Sequence, residues 1–475
     1  MRIAIIGTGY VGLVSAACFA RAGHHVSCVD IDASKISLLE RGGVPIYEPG
    51  LQEIISNRSV RKRLTFTSDA AAAVSMSDII FIAVGTPSRP SDGHADLSHV
   101  YAAVEAFSDA LRPGAIVATK STVPVGTGDA IGIMLADRRP DLDFEVASNP
   151  EFLRAGSAVN DFTRPDRVVV GAGSERAATA LANLYRSVGV ERARILRTDV
   201  RSAELIKYAA NGFLATKIAY INEVSDLCEQ VNASVADVAR GIGLDHRIGA
   251  QYLQPGPGFG GSCFPKDARA LAKIGEDHNA PMRIIETVLA SNDARKRSMV
   301  RKIARTFGSS LRGKTIALLG LTFKADTDDM REAVSIPLAQ GLVDAGCLLR
   351  AYDPVANDRA RSILPCRVSY HGSPLEAAEK ADAIVIVTEW REFRQLDLER
   401  LREVMKTHLI VDLRGVLTAK EVRLRGFQYV GLGGSSVHRG LDATAMSISN
   451  RESRTAAKNR TEDRAGTAIQ ITAAE

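Results

Sequence analysis

The sequence predicts an α/β protein in which two doubly wound domains are joined by a long central helix. Three observations support this prediction: a β-turn-α-β unit at the N-terminus, a long proline-free run near the middle, and a second α/β series behind it. Strands that alternate with helices are typical of doubly wound parallel sheets. With 475 residues the chain is also too long for a single hydrophobic core.

The N-terminal series starts with the apolar strand candidate RIAIIG at 2–7, followed by a helical stretch that ends near Gly23. A glycine at this point fits the C-terminus of a helix. A second strand, HVSCVD, is predicted at 25–30. The repetition of this unit predicts a Rossmann-like domain over residues 1–200. Its further strands are predicted within 78–87, 115–123, 144–152 and 167–172.

Residues 201–232 predict one continuous helix, because their apolar side chains recur at helical spacing and no proline interrupts them. At 1.5 Å per residue this helix is about 45 Å long, enough to link two domains and to carry a dimer interface. We therefore predict a central helical region at 201–311 and a second Rossmann-like domain at 312–440. The strands of that domain are predicted within 314–323, 347–354, 382–390, 408–415 and 427–434, and residues 441–475, rich in Ser, Thr, Ala and Arg, are predicted to be a disordered tail.

The composition is that of an ordinary soluble protein, with 45% apolar and 24% charged residues. A net charge of +5 over so long a chain makes nucleic acid a poor candidate partner. No apolar run reaches the roughly 18 residues of a membrane helix, and Gly7, Thr8 and Gly9 interrupt the N-terminal run that otherwise resembles a signal peptide. The six cysteines form no C-x-x-C pair and lie near no histidine pattern, which predicts no metal site and a reducing, cytoplasmic location.

The stretch GTGYVG at 7–12 is a G-x-G-x-x-G motif between a predicted strand and a predicted helix. Gly7 permits a tight turn, Gly9 lets the backbone approach a pyrophosphate, and Gly12 permits close packing of the helix on the strand. Asp30 ends the second predicted strand, where its carboxylate can accept hydrogen bonds from ribose hydroxyls and would repel a 2′-phosphate. The pattern predicts NAD rather than NADP as cofactor; a purely structural βα turn is the alternative.

The stretch PGPGFGGSCFPKD at 255–267 places Cys263 in a segment that is too rich in glycine and proline for a helix or a strand. Such loops are typical of places where the backbone lies close to a ligand. The thiolate is the reactive form of a cysteine, and the nearby Lys266 would favour it. Cys263 is thus a candidate nucleophile; a small buried apolar residue is the alternative.

NAD together with a nucleophilic cysteine indicates the oxidation of a primary alcohol to a carboxylate. An alcohol can surrender a hydride to NAD directly, whereas an aldehyde must first add a thiolate; the thiohemiacetal then loses a second hydride and leaves a thioester that water cleaves. This path needs donors for a developing oxyanion and a carboxylate that activates water. Lys207 and Asn211, four apart on the predicted long helix, and Glu151, after a predicted strand, are candidates. A solvated helix face and an ordinary loop carboxylate are the alternatives.

Seven motifs in this order resemble the UDP-glucose/GDP-mannose dehydrogenase family over roughly residues 1–440. They are GTGYVG (7–12), VGTP (84–87), STVPVGT (121–127), NPEFLRAG (149–156), AELIKYAANGFLATKIAYINEVS (203–225), GFGGSCFPKD (258–267) and GLTFKADTDDMRE (320–332). The resemblance implies oxidation of UDP-glucose at C6 to UDP-glucuronate with two NAD, through a cysteine thiohemiacetal and thioester. GDP-mannose or an N-acetylated UDP-sugar as substrate, and a non-catalytic nucleotide-sugar sensor, are the alternatives.

The resemblance also implies roles for individual residues. The catalytic residues would be Cys263 as nucleophile, Lys207, Asn211 and Asp267 for charge, protons and water, Glu151 as base for thioester hydrolysis, and Thr122 to place water and cofactor. The residues implied to contact NAD are Gly7, Gly9, Tyr10, Val11, Gly12, Asp30, Lys35, Thr86, Thr122, Lys266 and Arg331. Those implied to contact the UDP-sugar are Glu151, Phe152, Leu153, Arg154, Lys207, Asn211, Arg247, Tyr252, Leu253, Gln254, Pro255, Gly256, Gly260, Phe323 and Lys324. Because Arg247 matches an arginine that enters the neighbouring subunit's site, a homodimer or higher homo-oligomer is expected.

One position departs from the family pattern N-P-E-F-L-x-E-G, because Ala155 stands in place of the second glutamate. In relatives that glutamate lies near the nicotinamide and the catalytic water. Its absence is expected to alter the cofactor contact there and the second oxidation. Glu151 is retained, so the resemblance still implies an active enzyme.

Overall fold

The computed structural model describes residues 1–308 and 310–434. It contains two sheets flanked by helices and a helical region between them, so the predicted fold class is confirmed. The predicted tail at 441–475, and the last six residues of the predicted second domain, lie outside the described residues. Among the described helices, none combines the length and the apolar character needed to cross a bilayer.

The first sheet has eight strands in the order β3-β2-β1-β4-β5-β6-β7-β8. The order reverses between β1 and β4, and the carboxyl ends of these strands open the crevice in which such sheets bind ligands. The strands are β1 (Arg2–Ile6), β2 (His25–Val29), β3 (Leu64–Thr67), β4 (Ile79–Ile82), β5 (Ala115–Thr119), β6 (Phe144–Ser148), β7 (Val168–Ala172) and β8 (Ile195–Thr198). The helices are α1 (Tyr10–Arg21), α2 (Ala33–Glu40), α3 (Leu51–Ser56), α4 (Arg58–Arg61), α5 (Ala70–Ser75), α6 (Ser98–Phe107), α7 (Thr127–Arg138), α8 (Ala158–Thr163) and α9 (Glu175–Ser187), with 3₁₀ turns at Ser108–Ala110 and Arg192–Arg194.

One strand pairing in this sheet differs from the predicted parallel arrangement. Strand β7 pairs with β6 in the antiparallel direction, with Ala147 opposite Ala172. The only helix between them, α8, has six residues and rises about 9 Å. Crossing back along a five-residue strand would need about 16 Å, so the chain turns at the carboxyl edge of the sheet instead.

The central region consists of four helices, α10 (Val200–Val231), α11 (Val235–Gly243), α12 (Phe264–Asp277) and α13 (Arg283–Thr306). The predicted long helix is confirmed to within one residue at each end. It begins where the side chain of Asp199 accepts a hydrogen bond from the amide of Ser202, and it ends at Asn232, whose φ of 56° is left-handed. Both α12 and α13 pack against α10.

The second sheet has six strands, all paired in parallel, in the order β11-β10-β9-β12-β13-β14. Its strands are β9 (Thr315–Leu319), β10 (Leu348–Tyr352), β11 (Val368–Tyr370), β12 (Ala383–Ile386), β13 (Leu409–Asp412) and β14 (Gln428–Val430). Its helices are α14 (Ser335–Asp344), α15 (Asn357–Arg361), α16 (Pro374–Ala378), α17 (Leu398–Val404) and α18 (Ala419–Leu424), with a 3₁₀ turn at Arg391–Gln395.

Three strands were not predicted from the sequence: β3, β8 and β11. Each lies at an edge of its sheet. An edge strand has one neighbour and little burial, so its sequence lacks the continuous apolar run of a central strand. The predicted strands all lie closer to the sheet centres, apart from β14.

Candidate active site

Cys263 caps the N-terminus of α12, between the glycine-rich loop and the first helical turn. Its carbonyl accepts the amide hydrogen bond of Asp267 at 2.9 Å. The side chain is partly buried, and all six cysteines are unpaired. The nucleophile candidate is therefore presented by a helix start, where partial positive charge gathers.

The glycines of the cysteine loop allow the second domain to approach closely. A Cβ on Gly260 would lie 2.2 Å from the carbonyl oxygen of Glu332, and a Cβ on Gly261 would lie 2.7 Å from the ring of Phe323. The Gly261 amide also donates to the carbonyl of Arg331 at 2.9 Å. No larger residue fits at either position without displacing the neighbouring backbone or ring.

The loop is held from the other side by the central helices. The side chain of Asn222 on α10 accepts from the Gly256 amide at 2.8 Å, and Asn292 on α13 accepts from the Phe259 amide at 2.8 Å. The guanidinium of Arg295 donates to the Gly256 carbonyl at 2.8 Å. A segment without regular structure is thus fixed in place by side-chain hydrogen bonds.

Five polar residues converge beside the cysteine. The ammonium of Lys207 lies 3.1 Å from Glu151 Oε1, and both side chains are buried, 3% and 6% exposed. Asn211 donates from Nδ2 to Asp267 Oδ2 at 2.6 Å. Lys266 contacts the other oxygen of Asp267 at 2.5 Å. The alternative of a solvated helix face is wrong for Lys207 and Asn211, because that face of α10 is covered by α12.

Burial and the neighbouring charges together set the pKa of the Cys263 thiol. Burial raises the pKa of Cys263, the carboxylate of Glu151 raises it further, and the ammonium of Lys207 opposes both. Lys266 also lowers this pKa, as expected, but its effect is outweighed. The resting group is therefore the thiol, which must lose its proton when it reacts.

The pKa of Lys207 is raised although burial by itself would lower it. The negative charges of Glu151, a Cys263 thiolate and Asp267 favour the ammonium form. Lys207 thus stays charged within a nearly closed site, where a positive charge stabilises an oxyanion much better than in water.

The glycine motif lies at the reversal point of the first sheet. Asp30 Oδ2 accepts from the amide and the hydroxyl of Thr8 at 3.0 and 2.6 Å, and Lys35 lies 3.6 Å away. Partial burial disfavours the charged form of Asp30, but the hydrogen bonds from Thr8 and Asp32 outweigh it and lower the pKa. Asp30 is therefore an anion at neutral pH, suited to ribose hydroxyls and repelling a 2′-phosphate.

The start of α1 suits the phosphates of a dinucleotide. The first turn of α1 carries no acidic residue and no side-chain cap, so its amides are free to bind phosphate. A Cβ on Gly9 would meet nothing within 4 Å, whereas a Cβ on Gly12 would lie 1.9 Å from the carbonyl oxygen of Gly7. Gly9 thus borders open space, and Gly12 lies against the turn itself.

This difference separates folding from cofactor binding experimentally. We expect Gly12→Ala to lower the free energy of unfolding by about 1–3 kcal/mol or more, because the added methyl overlaps the turn. Gly9→Ala should leave stability unchanged and weaken NAD binding about ten- to hundred-fold, through lost amide–phosphate hydrogen bonds. Thermal unfolding and NAD titration calorimetry measure the two effects. Equal NAD affinity of Gly9→Ala and wild type would contradict the assignment.

Two strand ends place further predicted cofactor residues together. Thr86, after β4, donates from its hydroxyl to the carbonyl of Thr122, after β5, at 2.9 Å, and both residues are buried. Ser121 donates to the carbonyl of Val84 at 2.6 Å. The VGTP and STVPVGT motifs therefore form one hydrogen-bonded edge of the crevice.

The second domain contributes residues across the crevice. The Tyr10 hydroxyl hydrogen-bonds Asp328 and lies 3.2 Å from the Thr327 hydroxyl. Arg331 forms two 2.8 Å hydrogen bonds to Asp329. The pKa of Arg331 is raised although burial opposes this, because Asp329 and the potential charges of Cys263 and Tyr10 lie nearby. Tyr10 and Arg331 thus both lie at the boundary of the two domains.

Aromatic rings and cationic side chains lie together among the residues predicted to contact the UDP-sugar. The centroid of the Phe152 ring lies 3.6 Å from the guanidinium of Arg167 and 5.2 Å from the ammonium of Lys207. Tyr252, with a left-handed φ of 64°, contacts the Phe264 ring at 5.9 Å. Of the other residues in this predicted set, Leu253, Gly256 and Gly260 are buried, Leu153, Pro255, Phe323 and Lys324 are half-buried, and Arg154 and Gln254 are exposed.

Arg247 is the predicted residue that the structure leaves apart from this cluster. Its side chain is 78% exposed, and its guanidinium pairs with Asp245, 2.6 Å away. Ala155 is half-buried, and the next residue, Gly156, would place a Cβ 2.6 Å from the carbonyl of Asp326. The loop that lacks the second family glutamate therefore lies directly against the second domain.

Several residues of this region were not found from the sequence. Arg414, after β13, donates to the Phe323 carbonyl at 3.1 Å and borders Gly256. Glu204 on α10 accepts from the Gly126 and Gly128 amides at 2.8 and 2.7 Å, and burial raises its pKa to about 7. Lys120 is buried after β5. A signal existed for Glu204, a charge three residues before Lys207 on one helix face, and for Lys120, a charge that ends an apolar strand.

Models of one family match the chain in three parts. They are the NAD binding domain of the UDP-glucose/GDP-mannose dehydrogenase family over residues 1–189, its central domain over 201–294 and its UDP binding domain over 317–419. The first part carries the glycine motif and Asp30, the second Lys207, Asn211 and Cys263. Each of the three structural regions thus has its counterpart in the family.

Curated relatives and solved structures agree with these matches. A UDP-glucose 6-dehydrogenase from Rhizobium meliloti is 52% identical over 435 residues, covering 91% of this chain and 99% of the relative. One from Pseudomonas aeruginosa is 45% identical over 442 residues, covering 91% of this chain and 97% of the relative. The structure of a UDP-glucose dehydrogenase from Pyrobaculum islandicum, 40% identical, superposes with a TM-score of 0.84 and covers 91% of this chain and 98% of its own. The chain belongs to the UDP-glucose/GDP-mannose dehydrogenase family, whose N-terminal domain binds NAD.

Proposed function

We propose that this protein oxidises UDP-glucose at C6 to UDP-glucuronate with two NAD, and that Cys263 carries the sugar between the two oxidations. The observation that carries the proposal is the meeting of Cys263 with two buried polar pairs, Lys207–Glu151 and Asn211–Asp267, between an NAD-binding domain and a UDP-binding domain. Relatives at 52% and 45% identity are UDP-glucose 6-dehydrogenases.

The first oxidation needs a group that stabilises a negative oxygen at C6. Lys207 is charged and almost closed from water, and Asn211 on the next turn of α10 is anchored by Asp267. We assign to Lys207 and Asn211 the binding of that oxygen, and to Asp267 the orientation of Asn211. When bound, NAD accepts the hydride that C6 loses, at the alcohol level and again at the thiohemiacetal level.

The cysteine acts at the aldehyde level. Cys263 Sγ forms a bond to C6 while the C=O π bond opens, and the thiol proton passes to the oxygen, which remains close to the charge of Lys207. Removal of the second hydride leaves a thioester on Cys263. The high pKa of the resting thiol protects it from side reactions, since it ionises only as it attacks.

Hydrolysis of the thioester needs a base. Glu151 is buried, and one of its oxygens accepts from the Leu153 amide at 2.5 Å, which fixes the carboxylate. We assign to Glu151 the removal of a proton from water while the water oxygen bonds to C6 and the C–S bond breaks. Thr122, at the adjacent strand end, would place this water and the cofactor.

The remaining family positions extend this assignment to binding. We assign NAD contacts to the glycine motif with Tyr10 and Val11, and to Asp30, Lys35, Thr86, Lys266 and Arg331. We assign UDP-sugar contacts to Phe152 through Arg154, to Tyr252 through Gly256, and to Gly260, Phe323 and Lys324. The predicted domain limits, 1–200, 201–311 and 312–440, are kept as proposals, and the unpaired cysteines support a reducing, cytoplasmic location.

The substrate is tested by supplying UDP-glucose, GDP-mannose and UDP-N-acetylglucosamine to the purified protein and following NADH absorbance. We expect UDP-glucose to have the highest kcat/KM and to yield two NADH per sugar. A preference for GDP-mannose would overturn the choice of substrate. Binding of UDP-glucose without any NADH would indicate a nucleotide-sugar sensor.

An apolar stripe on α10 supports a dimer. Phe213, Tyr220 and Leu227 recur every seven residues and are 57–66% exposed. Seven residues are two helical turns, so these side chains form one line along the helix, typical of helix–helix contacts between chains. Lys217, on the same stretch, donates to the carbonyls of Ile248 and Gly249 at 3.0 and 3.2 Å. The loop with Arg247 thus lies beside the stripe. If a second copy packs against the stripe, Arg247 would lie close to the active site of that copy.

We expect the double variant Phe213→Glu, Tyr220→Glu to be monomeric, because it places charges in this contact. Light scattering after size exclusion should give half the wild-type mass. Arg247→Ala should leave the mass unchanged and raise KM for UDP-glucose about ten-fold or more, as for a lost charged hydrogen bond. Leu424→Glu, at an exposed apolar residue of α18, is the matched control and should change neither. A double variant with wild-type mass would contradict the interface.

A further inference from the structure

Lys120 has no role in the mechanism above, although it lies close to Glu151 and Lys207, which do. It follows β5 directly, precedes Ser121 and Thr122, and is 2% exposed. A lysine is almost never buried unless it has partners. Its amine donates hydrogen bonds to two protein acceptors, so it is placed to act through these neighbours.

Its neighbours form a closed polar triangle. The Lys120 amine donates to the Tyr185 hydroxyl at 2.7 Å and to Asn149 Oδ1 at 3.2 Å, and the Tyr185 hydroxyl donates to the same Asn149 oxygen at 2.6 Å. Asn149 is fully buried and is also tied to two strands. Its Nδ2 donates to the Val169 carbonyl, and its backbone amide donates to the Thr119 carbonyl, both at 2.8 Å.

The surroundings suit an amine that is either neutral or charged. A neutral amine has two N–H donors, which the two acceptors satisfy. The ring centroids of Phe81, Phe162 and Tyr185 lie 5.5–5.8 Å from the Lys120 nitrogen. Cation–π interactions with these rings stabilise the charged form of the amine. Burial lowers the pKa of Lys120 to about 7, the carboxylate of Glu151 opposes this, and Lys207 adds to it.

Asn149 leads directly to the proposed base. It is the first residue of NPEF, two residues before Glu151, in a segment without helix or strand. Without a ladder of backbone hydrogen bonds, the course of this turn depends on side-chain anchors. Asn149 is the anchor, and Lys120 and Tyr185 fix the orientation of its amide group.

We propose that Lys120 is a positioning residue that, with Tyr185, locks Asn149 and so holds Glu151 for thioester hydrolysis. The inference rests on the proposed function of Glu151. In the hydrolysis the Glu151 carboxylate takes a proton from water, the water oxygen bonds to C6, the C–S bond breaks, and the leaving sulfur takes the proton back from Glu151. Lys120 forms and breaks no covalent bond in this step and transfers no proton. It sets where the accepting oxygen lies.

The test compares Lys120→Met, Tyr185→Phe and the double variant. Each single variant should keep KM and lower kcat about ten- to hundred-fold, within the range of a displaced general base. NADH should appear in a burst of two per active site, and intact-protein mass should then show the Cys263 thioester. Because both residues act on one amide, the double variant should be no slower than the slower single variant. Lys302→Met, which removes a partly buried lysine paired with Glu229, is the control and should behave like wild type.

The comparison uses whichever nucleotide sugar the wild type oxidises, so a wrong choice of substrate does not affect it. Wild-type kcat in Lys120→Met, or multiplicative losses in the double variant, would overturn the inference alone. So would a loss of NAD affinity and thermal stability with no thioester, which indicates a merely structural lysine. A wild type that reduces no NAD with any nucleotide sugar would overturn the inference and the proposed function together.

Discussion

Replacing Cys263 by alanine is expected to abolish uronate formation and to leave NAD binding unchanged. The sulfur of Cys263 is the nucleophile that adds to the aldehyde, and no other cysteine lies in the polar cluster. Loss of a covalent nucleophile commonly costs several orders of magnitude, and we expect a loss of about a thousand-fold or more. The side chain lies at the start of α12, apart from Asp30 and the glycine motif that we assign to NAD. NADH absorbance, product chromatography and NAD titration calorimetry measure the two effects.

The controls are two other cysteines of the chain. Cys366→Ala removes an exposed thiol and Cys228→Ala a buried one on α10, and both variants should produce UDP-glucuronate at the wild-type rate. If Cys263→Ala made normal amounts of product, Cys263 would not be the nucleophile. If Cys263→Ala made the aldehyde and one NADH, the thiol would be needed only for the second oxidation, as proposed.

Replacing Glu151 by glutamine is expected to stop the reaction at the thioester. Glutamine keeps the shape and one acceptor oxygen but cannot take a proton from water. We expect steady-state turnover to fall by about 10²–10⁴-fold, the usual worth of a general base. The first two NADH should still form, and the enzyme should then gain the mass of a UDP-glucuronyl group on Cys263. Quenched-flow kinetics and intact-protein mass spectrometry follow both.

The variant also leaves the buried Lys207 without its carboxylate, so stability must be measured alongside. Removing one partner of a buried ion pair can cost about 3–5 kcal/mol. Glu145→Gln on β6 is the matched control, since it removes a partly buried carboxylate that pairs with Arg176. Rapid turnover of Glu151→Gln without accumulated thioester would assign the base to another residue.

The parts of the site that lie within one element were predictable. The glycine motif, Asp30 at a strand end, and the helical spacing of Lys207 and Asn211 depend on a few neighbouring residues and the geometry of a strand or helix. The prediction that residues 255–267 contain no helix or strand holds up to Cys263 and is wrong for 264–267, because α12 begins at Phe264 and a proline fits the first turn of a helix. The resemblance to a family supplied the roles of Asp267 and Arg331, whose local sequence carries no such signal. For Glu151, the position after a predicted strand indicated a candidate carboxylate, and the resemblance supplied its role as base.

The sequence by itself determined the α/β class, the long helix, the dinucleotide motif and the glycine-rich cysteine loop, because each is encoded by residues close together in the chain. Only the tertiary structure decided that β7 runs antiparallel, that Lys207 is buried against Glu151, and that burial raises the pKa of Cys263. Asn211 and Asp267 are 56 residues apart and Tyr10 and Thr327 are 317 apart, yet they share hydrogen bonds. The physical reason is that burial and electrostatics act through space, so they depend on which surfaces meet and not on the order of residues along the chain.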